Sequence, residues 1–272
     1  MADRPPPLSA RNPHIASLRR LSRRRSARRE AGALVVEGPT LLDEALTAGV
    51  EVREVLVDAG APDHLWALAR RAEAVGATLR CAADGVVARV ATTEHPPPIV
   101  AVAAWAPAPL AGVVERTATG DGPLVVLVDV ADPGNAGTIV RSAAAAGAAG
   151  VVAVGGVDLT NPKVVRASAG ALFRLPLVVD AGLDDVLAAL GQAGVVTAGL
   201  VVGGGDAPED VPLAAEVALV AGNEAHGLPT DVVDRLDHQV TIPMAATAES
   251  LNVATATTVV LFEAARQRRA AG

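Results

Sequence analysis

Three short segments hold most of the residues able to take part in chemistry. They are Asp132-Pro-Gly-Asn135-Ala-Gly137 running on to Arg141, Gly222-Asn-Glu224-Ala-His226-Gly227, and a tail from Ile242 through Ser250, Leu251 and Asn252 into an apolar helix. Each follows a stretch that reads as a strand, so each forms a loop at a strand's carboxyl end. Glycine lets the main chain approach a ligand closely, and the free amides of such loops can donate to a carboxylate or a heterocycle. One such loop is commonplace, whereas three on one edge of one sheet favour a binding site. Taken singly, Ser250 reads first as a helix cap, and Asn135 can cap its own helix while serving a site. Glu224 is either a turn carboxylate or, if buried, one with a fixed partner such as an arginine, and His226 reads as a loop histidine without a proton-transfer role.

Positioning these loops calls for a parallel sheet. Leu124–Val130 is an uninterrupted apolar run of the kind buried on both faces. Further strands are expected at Gly150–Val154, Arg174–Val179, Val195–Val202 and Val217–Ala221, with helices at Thr138–Ala146, Val164–Ala171, Leu183–Leu190 and Thr257–Arg269. That order predicts a doubly wound α/β domain over residues 123–272, its ligand beyond the strands' carboxyl ends. Upstream, strands at Ala33–Glu37, Val50–Val57, Ala77–Cys81 and Ile99–Ala103 alternate with helical segments and predict a smaller α/β domain over 31–104. Prolines at 96–98, 107 and 109, followed by the Gly-rich polar stretch Thr117–Pro123, place a linker at 105–122.

Half of the 272 residues are apolar, enough for a sizeable core. Tyr is absent and Phe and Trp number two each, so few rings are available to stack unpaired bases, and any nucleic-acid binding must lean on charge and shape. The net charge of −7 hides an asymmetry: residues 1–30 carry nine Arg against Asp3 and Glu30, or +7 against −14 for the remainder. A basic arm on an acidic body fits a polyanion gripped from one end, with Arg19, Arg20, Arg23 and Arg24 as candidate contacts; the plainer reading is a solvated leader. Ile15, Leu18 and Leu21 recur at helical spacing within it, so this helix lies either on RNA or on its own domain. Cys81 stands alone, which excludes a disulfide framework or a cysteine metal cluster and fits a reducing, cytoplasmic setting. The long uncharged run Val186–Gly205 is broken by Gly191, Gln192 and Gly194 and reads as a helix end, a turn and a strand, not as a membrane span.

Asn135-Ala-Gly-Thr-Ile-Val-Arg141, Leu219-Val-Ala-Gly-Asn-Glu-Ala-His-Gly-Leu228, and Ile242-Pro-Met with Ser250-Leu-Asn-Val-Ala254 resemble, in order, the three motifs of the SpoU (TrmH) family of RNA ribose 2′-O-methyltransferases in the SPOUT superfamily. Asn161–Gly170 and Phe173–Pro176 fit as well, so the resemblance spans 123–269. The first half resembles, more weakly, an L30e-like substrate-binding domain. The resemblance implies a deep trefoil knot closed by the tail, S-adenosylmethionine bent within it, and a homodimer with the site at the subunit interface. It assigns cofactor contacts to the backbone around Leu200, Gly222, Ile242 and Leu251, and catalytic roles to Asn135, Arg141, Glu224, Ser250 and Asn252. Arg166 is either a phosphate contact or a helix-surface charge. Ala225 and Ala245-Ala246 depart from the family's usual glycine or charged residues without removing a functional group.

The implied chemistry needs no metal, because a methyl sulfonium is already electrophilic and the enzyme must chiefly align a 2′-hydroxyl with it. A guanidinium essentially never gives up its proton in a protein, so Arg141 is expected to steady developing alkoxide charge or hold a phosphate, which leaves the base open. The implied substrate is RNA and not DNA, foremost large-subunit (23S) ribosomal RNA, in housekeeping modification or antibiotic resistance. The alternatives are tRNA, or a non-catalytic RNA-binding protein of ribosome assembly.

Overall fold

The computed structural model describes residues 4–245, 247 and 250–271; Ala246 lies outside them. The chain forms two compact units, one made by residues up to 106 together with 160–173, the other by 107–159 together with residues from 174 onward.

In the first unit, α1 (Pro13–Arg23) starts where the Asn12 side chain accepts the His14 N–H and Pro13 presets the first helical residue. Next come α2 (Arg25–Ala31), β1 (Ala33–Glu37), α3 (Pro39–Thr47), β2 (Val52–Asp58), α4 (Asp63–Ala74), β3 (Thr78–Ala82), α5 (Val87–Val90) and β4 (Ile99–Ala104). The sheet runs β1-β4-β2-β3, with only the β2–β3 pair parallel. Ile15, Leu18 and Leu21 of α1 are buried in this unit's core beside Val35, Leu56 and Val100, so the basic segment lies on its own domain. Its Arg28 is no surface charge: at 3 % exposure it bonds Thr160 Oγ1 at 2.9 Å and the carbonyls of Leu21 and Ser22.

The second unit begins with α6 (Leu110–Ala118), followed by β5 (Leu124–Val128), α7 (Pro133–Ala145) and β6 (Gly150–Val154). Half of the segment expected as a linker, 105–122, is therefore the helix α6. Its Val113, Val114 and Thr117 are buried against the sheet's core, at a spacing the neighbouring prolines masked. After β6 comes α8 (Pro162–Ala167), which packs with the first unit and not with the sheet that flanks it in sequence. The chain continues through β7 (Leu177–Val178), α9 (Leu183–Gln192), β8 (Val196–Leu200), β9 (Val217–Ala221), α10 (Thr230–Val233), β10 (His238–Val240) and α11 (Val253–Ala271). The strand expected over Arg174–Val179 shrinks to two residues, and the strand end expected before the Ile242 tail is the short β10.

All pairs of this sheet are parallel, in the order β10-β8-β9-β5-β6-β7. Every residue of β5, β6 and β9 is buried, as a sheet covered on both faces requires. The chain leaves β5 toward β6 and β7, then returns to lay β9 along the other side of β5. The β5 and β9 carboxyl ends thus flank the point where strand order reverses, the usual place for a ligand. Among the described residues no helix is long and apolar enough to cross a membrane.

Candidate active site

The loop leaving β5 is held in an unusual conformation. Asp129 has φ 53, a left-handed backbone that disfavours side chains other than Asn and Asp. Its carbonyl accepts the Asn223 side-chain N–H at 2.9 Å, and its own N–H donates to Val154 at 3.0 Å. The Gly155-Gly156 pair after β6 makes room: a Cβ on either would run into Asp129 or Val130. The Asn223 side-chain oxygen in turn accepts the N–H groups of Ala225 and His226, shaping the turn after β9.

Asp132, not Asn135, caps α7, accepting the Asn135 N–H at 3.0 Å with Pro133 in the first helical position. The Asn135 side chain is thereby left for other work. Its nitrogen donates to Glu224 Oε1 at 3.0 Å, and its oxygen accepts from the Asn252 side-chain nitrogen at 2.9 Å. Asn252 also caps the last helix through its oxygen, which accepts the N–H groups of Ala254 and Thr255. Ser250 does not have that role. Three segments from distant parts of the chain are joined by one amide–amide–carboxylate relay.

Glu224 is exposed at the residue level, and its partners are not arginines. It accepts from the Ala131 N–H and the Asp132 N–H, both at 2.9 Å, as well as from Asn135. Partial burial pushes its carboxyl up, but these N–H donors together outweigh burial and hold it below its ordinary value. The carboxylate clasps the start of the β5–α7 loop, and a depressed acid of this kind makes a poor general base.

Beside this relay a cavity of about 280 Å³ opens beyond the carboxyl ends of β8, β9 and β10. Its walls include Leu200, Val201 and Val202, the whole turn Gly222–Gly227, Val240, Ile242, Met244, Ser250, Leu251, Val253 and Ala256. Leu200, Gly222, Ile242 and Leu251 thus face one space, together with Glu224 and Ser250. Gly222 cannot be replaced freely there, since a Cβ would strike the Gly227 carbonyl and the Leu228 N–H. Apolar walls with main-chain groups at one end suit a flat heterocycle joined to a polar arm. Asn135, bonded to Glu224, and Asn252, bonded to Asn135, adjoin this wall, and each amide nitrogen keeps a second N–H for a ligand.

Arg141 is exposed on α7 and makes no hydrogen bond or ion pair among the described residues. Arg166 is drawn elsewhere: within the first unit its Nη1 lies 2.8 Å from Glu37 Oε2 and 2.8 Å from Thr92 Oγ1. Asp129, Asp132 and Asn223 were not singled out from the sequence. The Asp-Pro dipeptide carried a cap signal for Asp132, whereas nothing local marks Asn223 as the partner of a carbonyl 94 residues earlier. Among the described residues no group of three His, Cys, Asp or Glu is placed to hold a metal.

A parallel sheet with a cavity beyond the carboxyl ends of β8, β9 and β10, walled by the tail that follows β10, defines an α/β small-ligand domain. Residues 122–262 match the SpoU rRNA Methylase family and residues 12–101 the MRM3-like substrate binding domain, and the chain belongs to the SpoU family. It is 32% identical over 268 residues to the 23S rRNA (uridine(2479)-2′-O)-methyltransferase of Streptomyces viridochromogenes, covering 96% of this chain and 92% of that one. It is 39% identical over 223 residues to the 23S rRNA (guanosine-2′-O-)-methyltransferase RlmB of Xanthomonas axonopodis pv. citri, covering 80% and 89%. The crystal structure of the SpoU methyltransferase AviRb from Streptomyces viridochromogenes, in complex with the cofactor AdoMet, superposes with a TM-score of 0.83 at 32% identity, over 95% of this chain and 99% of that one.

Proposed function

We propose that this chain is an S-adenosylmethionine-dependent RNA methyltransferase that modifies a ribose 2′-hydroxyl in large-subunit ribosomal RNA. One observation carries the reading: the cavity walled by Leu200, Gly222, Ile242 and Leu251 adjoins the Asn252–Asn135–Glu224 relay, so a ligand pocket and a set of oriented donors meet at one sheet edge. When bound, the cofactor supplies an electrophilic methyl group. The apolar walls exclude water and seat its ring, while Gly222 keeps the turn after β9 close enough for main-chain contacts. Glu224 fixes the Asn135 amide, Asn135 fixes that of Asn252, and the remaining N–H groups with the Ser250 hydroxyl orient the ribose. Arg141, exposed on α7 and without an ion pair among the described residues, is the cation that steadies the developing alkoxide or grips the adjoining phosphate.

Several finer features belong to the same proposal. The second unit is a SPOUT domain with a deep trefoil knot, and the first is an L30e-like RNA-binding domain. Two copies pair as a homodimer, supported by the exposed apolar side chains Leu251, Val259 and Phe262 along the tail and its helix. A cytoplasmic location follows from an rRNA substrate and a free, buried Cys81. The names of the two relatives differ in the base they carry, so the nucleotide is left to experiment.

Calorimetric titration with S-adenosylmethionine, followed by mapping of ribose methylation on total RNA from cells with and without the gene, tests the reading. Saturable binding and one methylation mark that disappears are expected. Binding with no lost mark would leave a ligand-binding protein that is not this enzyme.

A further inference from the structure

Methyl transfer to a hydroxyl needs an acceptor for the hydroxyl proton. Asn135 and Asn252 are amides, and the guanidinium of Arg141 is already protonated and stays so. The carboxylates at this sheet edge are committed elsewhere. Glu224 clasps the N–H groups of Ala131 and Asp132, and Asp132 caps α7. The Asp129 carboxylate lies against Gly155, on the β6 side of β5 and so away from the cavity at β8, β9 and β10. Among the described residues the cavity wall holds one other ionisable side chain, His226. The stretches from β8, β10, the tail and α11 that complete the wall bring no charged group to it among the described residues.

The turn holds this histidine in a fixed place. Asn223 and Gly227 exchange main-chain hydrogen bonds at 3.0 and 2.8 Å, and Gly227 closes the turn at φ 67. The Asn223 side-chain oxygen accepts the His226 N–H at 3.3 Å, while its nitrogen ties the turn to the Asp129 carbonyl. The His226 side chain itself is exposed and makes no hydrogen bond or ion pair among the described residues. It shares the cavity with Ser250 and with Glu224, from which the relay leads to Asn135 and Asn252. Imidazole ordinarily changes charge nearer neutral pH than other side chains do, and in its neutral form one ring nitrogen accepts a proton.

We propose that His226 is the general base of the reaction, taking the ribose 2′-hydroxyl proton as the methyl group is transferred, in place of the bystander role expected from the sequence. The proposal rests on the methyltransferase reading above and supplies the base which that reading leaves open. The ribose oxygen forms a bond to the methyl carbon, the carbon–sulfur bond breaks with its electron pair left on sulfur, and the hydroxyl proton passes to an imidazole nitrogen. One positive charge thus moves from sulfonium to imidazolium, and no further reactant is required. Arg141 keeps its separate part, steadying the oxygen while the proton leaves.

The test follows single-turnover methyl transfer by the full-length protein from about pH 5 to 9, with saturating S-adenosylmethionine and large-subunit ribosomal RNA from cells lacking the gene. The wild-type log rate should climb with pH at a slope of about one and then level off. Glu224 cannot cause that limb, because its carboxyl is held below the ordinary 4.5. His226→Gln should lower the plateau about 10²-fold or more and abolish the slope, while melting temperature and calorimetric S-adenosylmethionine affinity stay at the wild-type values. Added imidazole should restore part of the rate of His226→Ala, which leaves room for it. A retained rate and slope in H226Q would overturn the proposal. So would a loss of S-adenosylmethionine affinity as large as the loss of rate, which would make His226 a wall of the cofactor pocket. A wild-type protein that neither binds S-adenosylmethionine nor transfers methyl groups would instead overturn the methyltransferase reading itself.

Discussion

Asn252 donates its side-chain N–H to the Asn135 amide oxygen at 2.9 Å, a bond that spans 117 residues of chain. Because Asn135 gives its own N–H to Glu224, both amides are fixed in orientation from one end. Glu224→Gln should therefore act at a distance. The glutamine keeps one acceptor but turns an NH2 toward a main-chain N–H of Ala131 or Asp132, at a cost of about 1–3 kcal/mol in the loop. The expected result is a fall in kcat larger than any loss of S-adenosylmethionine affinity; equal losses in both would mark Glu224 as a simple wall of the pocket.

Acid should reveal the same carboxylate. Its folded pKa is depressed, so the stability it contributes is present above the ordinary value of 4.5 and is lost as pH falls through the folded value. Asp237, held down by the N–H and hydroxyl of Thr197, and Glu263, held down mainly by Arg266, behave with the same sign. Chemical denaturation from pH 7 to 3 should accordingly show a shallower acid loss for E224Q than for the wild type. Parallel curves would count against the clasp.

Gly222→Ala would place a methyl group against the main chain of Gly227 and Leu228, which cannot yield as a flexible side chain could. Destabilisation of about 3 kcal/mol or more is expected, with loss of S-adenosylmethionine binding by calorimetry. A stable variant with normal affinity would show that the turn is looser than its packing implies.

Arg141→Ala removes an exposed side chain that has no partner among the described residues, so stability should change by no more than about 0.5 kcal/mol. Cofactor affinity should survive, whereas methyl transfer should fall roughly 10²-fold or more, as when a single stabilising donor is removed from a reacting oxyanion. Single-turnover transfer measured beside a thermal melt would separate the two effects.

Arg166→Ala should do the reverse. The Glu37 side chain is 2 % exposed and would lose its charged partner while keeping the Thr92 N–H and hydroxyl. The expected cost is about 3 kcal/mol, at the low end for a broken buried pair because Arg166 itself is 27 % exposed. A clear drop in Tm is the readout; an unchanged Tm with weakened RNA binding would restore the phosphate-contact role.

The strands were the most legible part of the chain. Ala33–Glu37, Gly150–Val154 and Val217–Ala221 are uninterrupted or nearly uninterrupted apolar runs, and they fold as strands over those same residues. Less legible were elements whose signal competes with another. Leu110, Val113, Val114 and Thr117 repeat at helical spacing, but prolines 107 and 109 spoke louder. Asn135 and Ser250 are good caps by type, yet Asp132 and Asn252 took those positions, because which oxygen reaches a helix start is decided by backbone geometry. The relay, the Asn223–Asp129 bond and the attachment of α8 to the first unit depend on contacts between distant segments, and no local pattern encodes them.

That attachment also sets a schedule for synthesis. Arg28 and Glu37 emerge early from the ribosome, but Thr160 and Arg166 come more than a hundred residues later. At the usual pace of translation the wait lasts several seconds or longer. Until then a nearly buried guanidinium and a nearly buried carboxylate lack their later partners. The amino-terminal unit is thus completed by residues made after β6, and a nascent chain halted between 106 and 160 should be more open to protease than one released past 173.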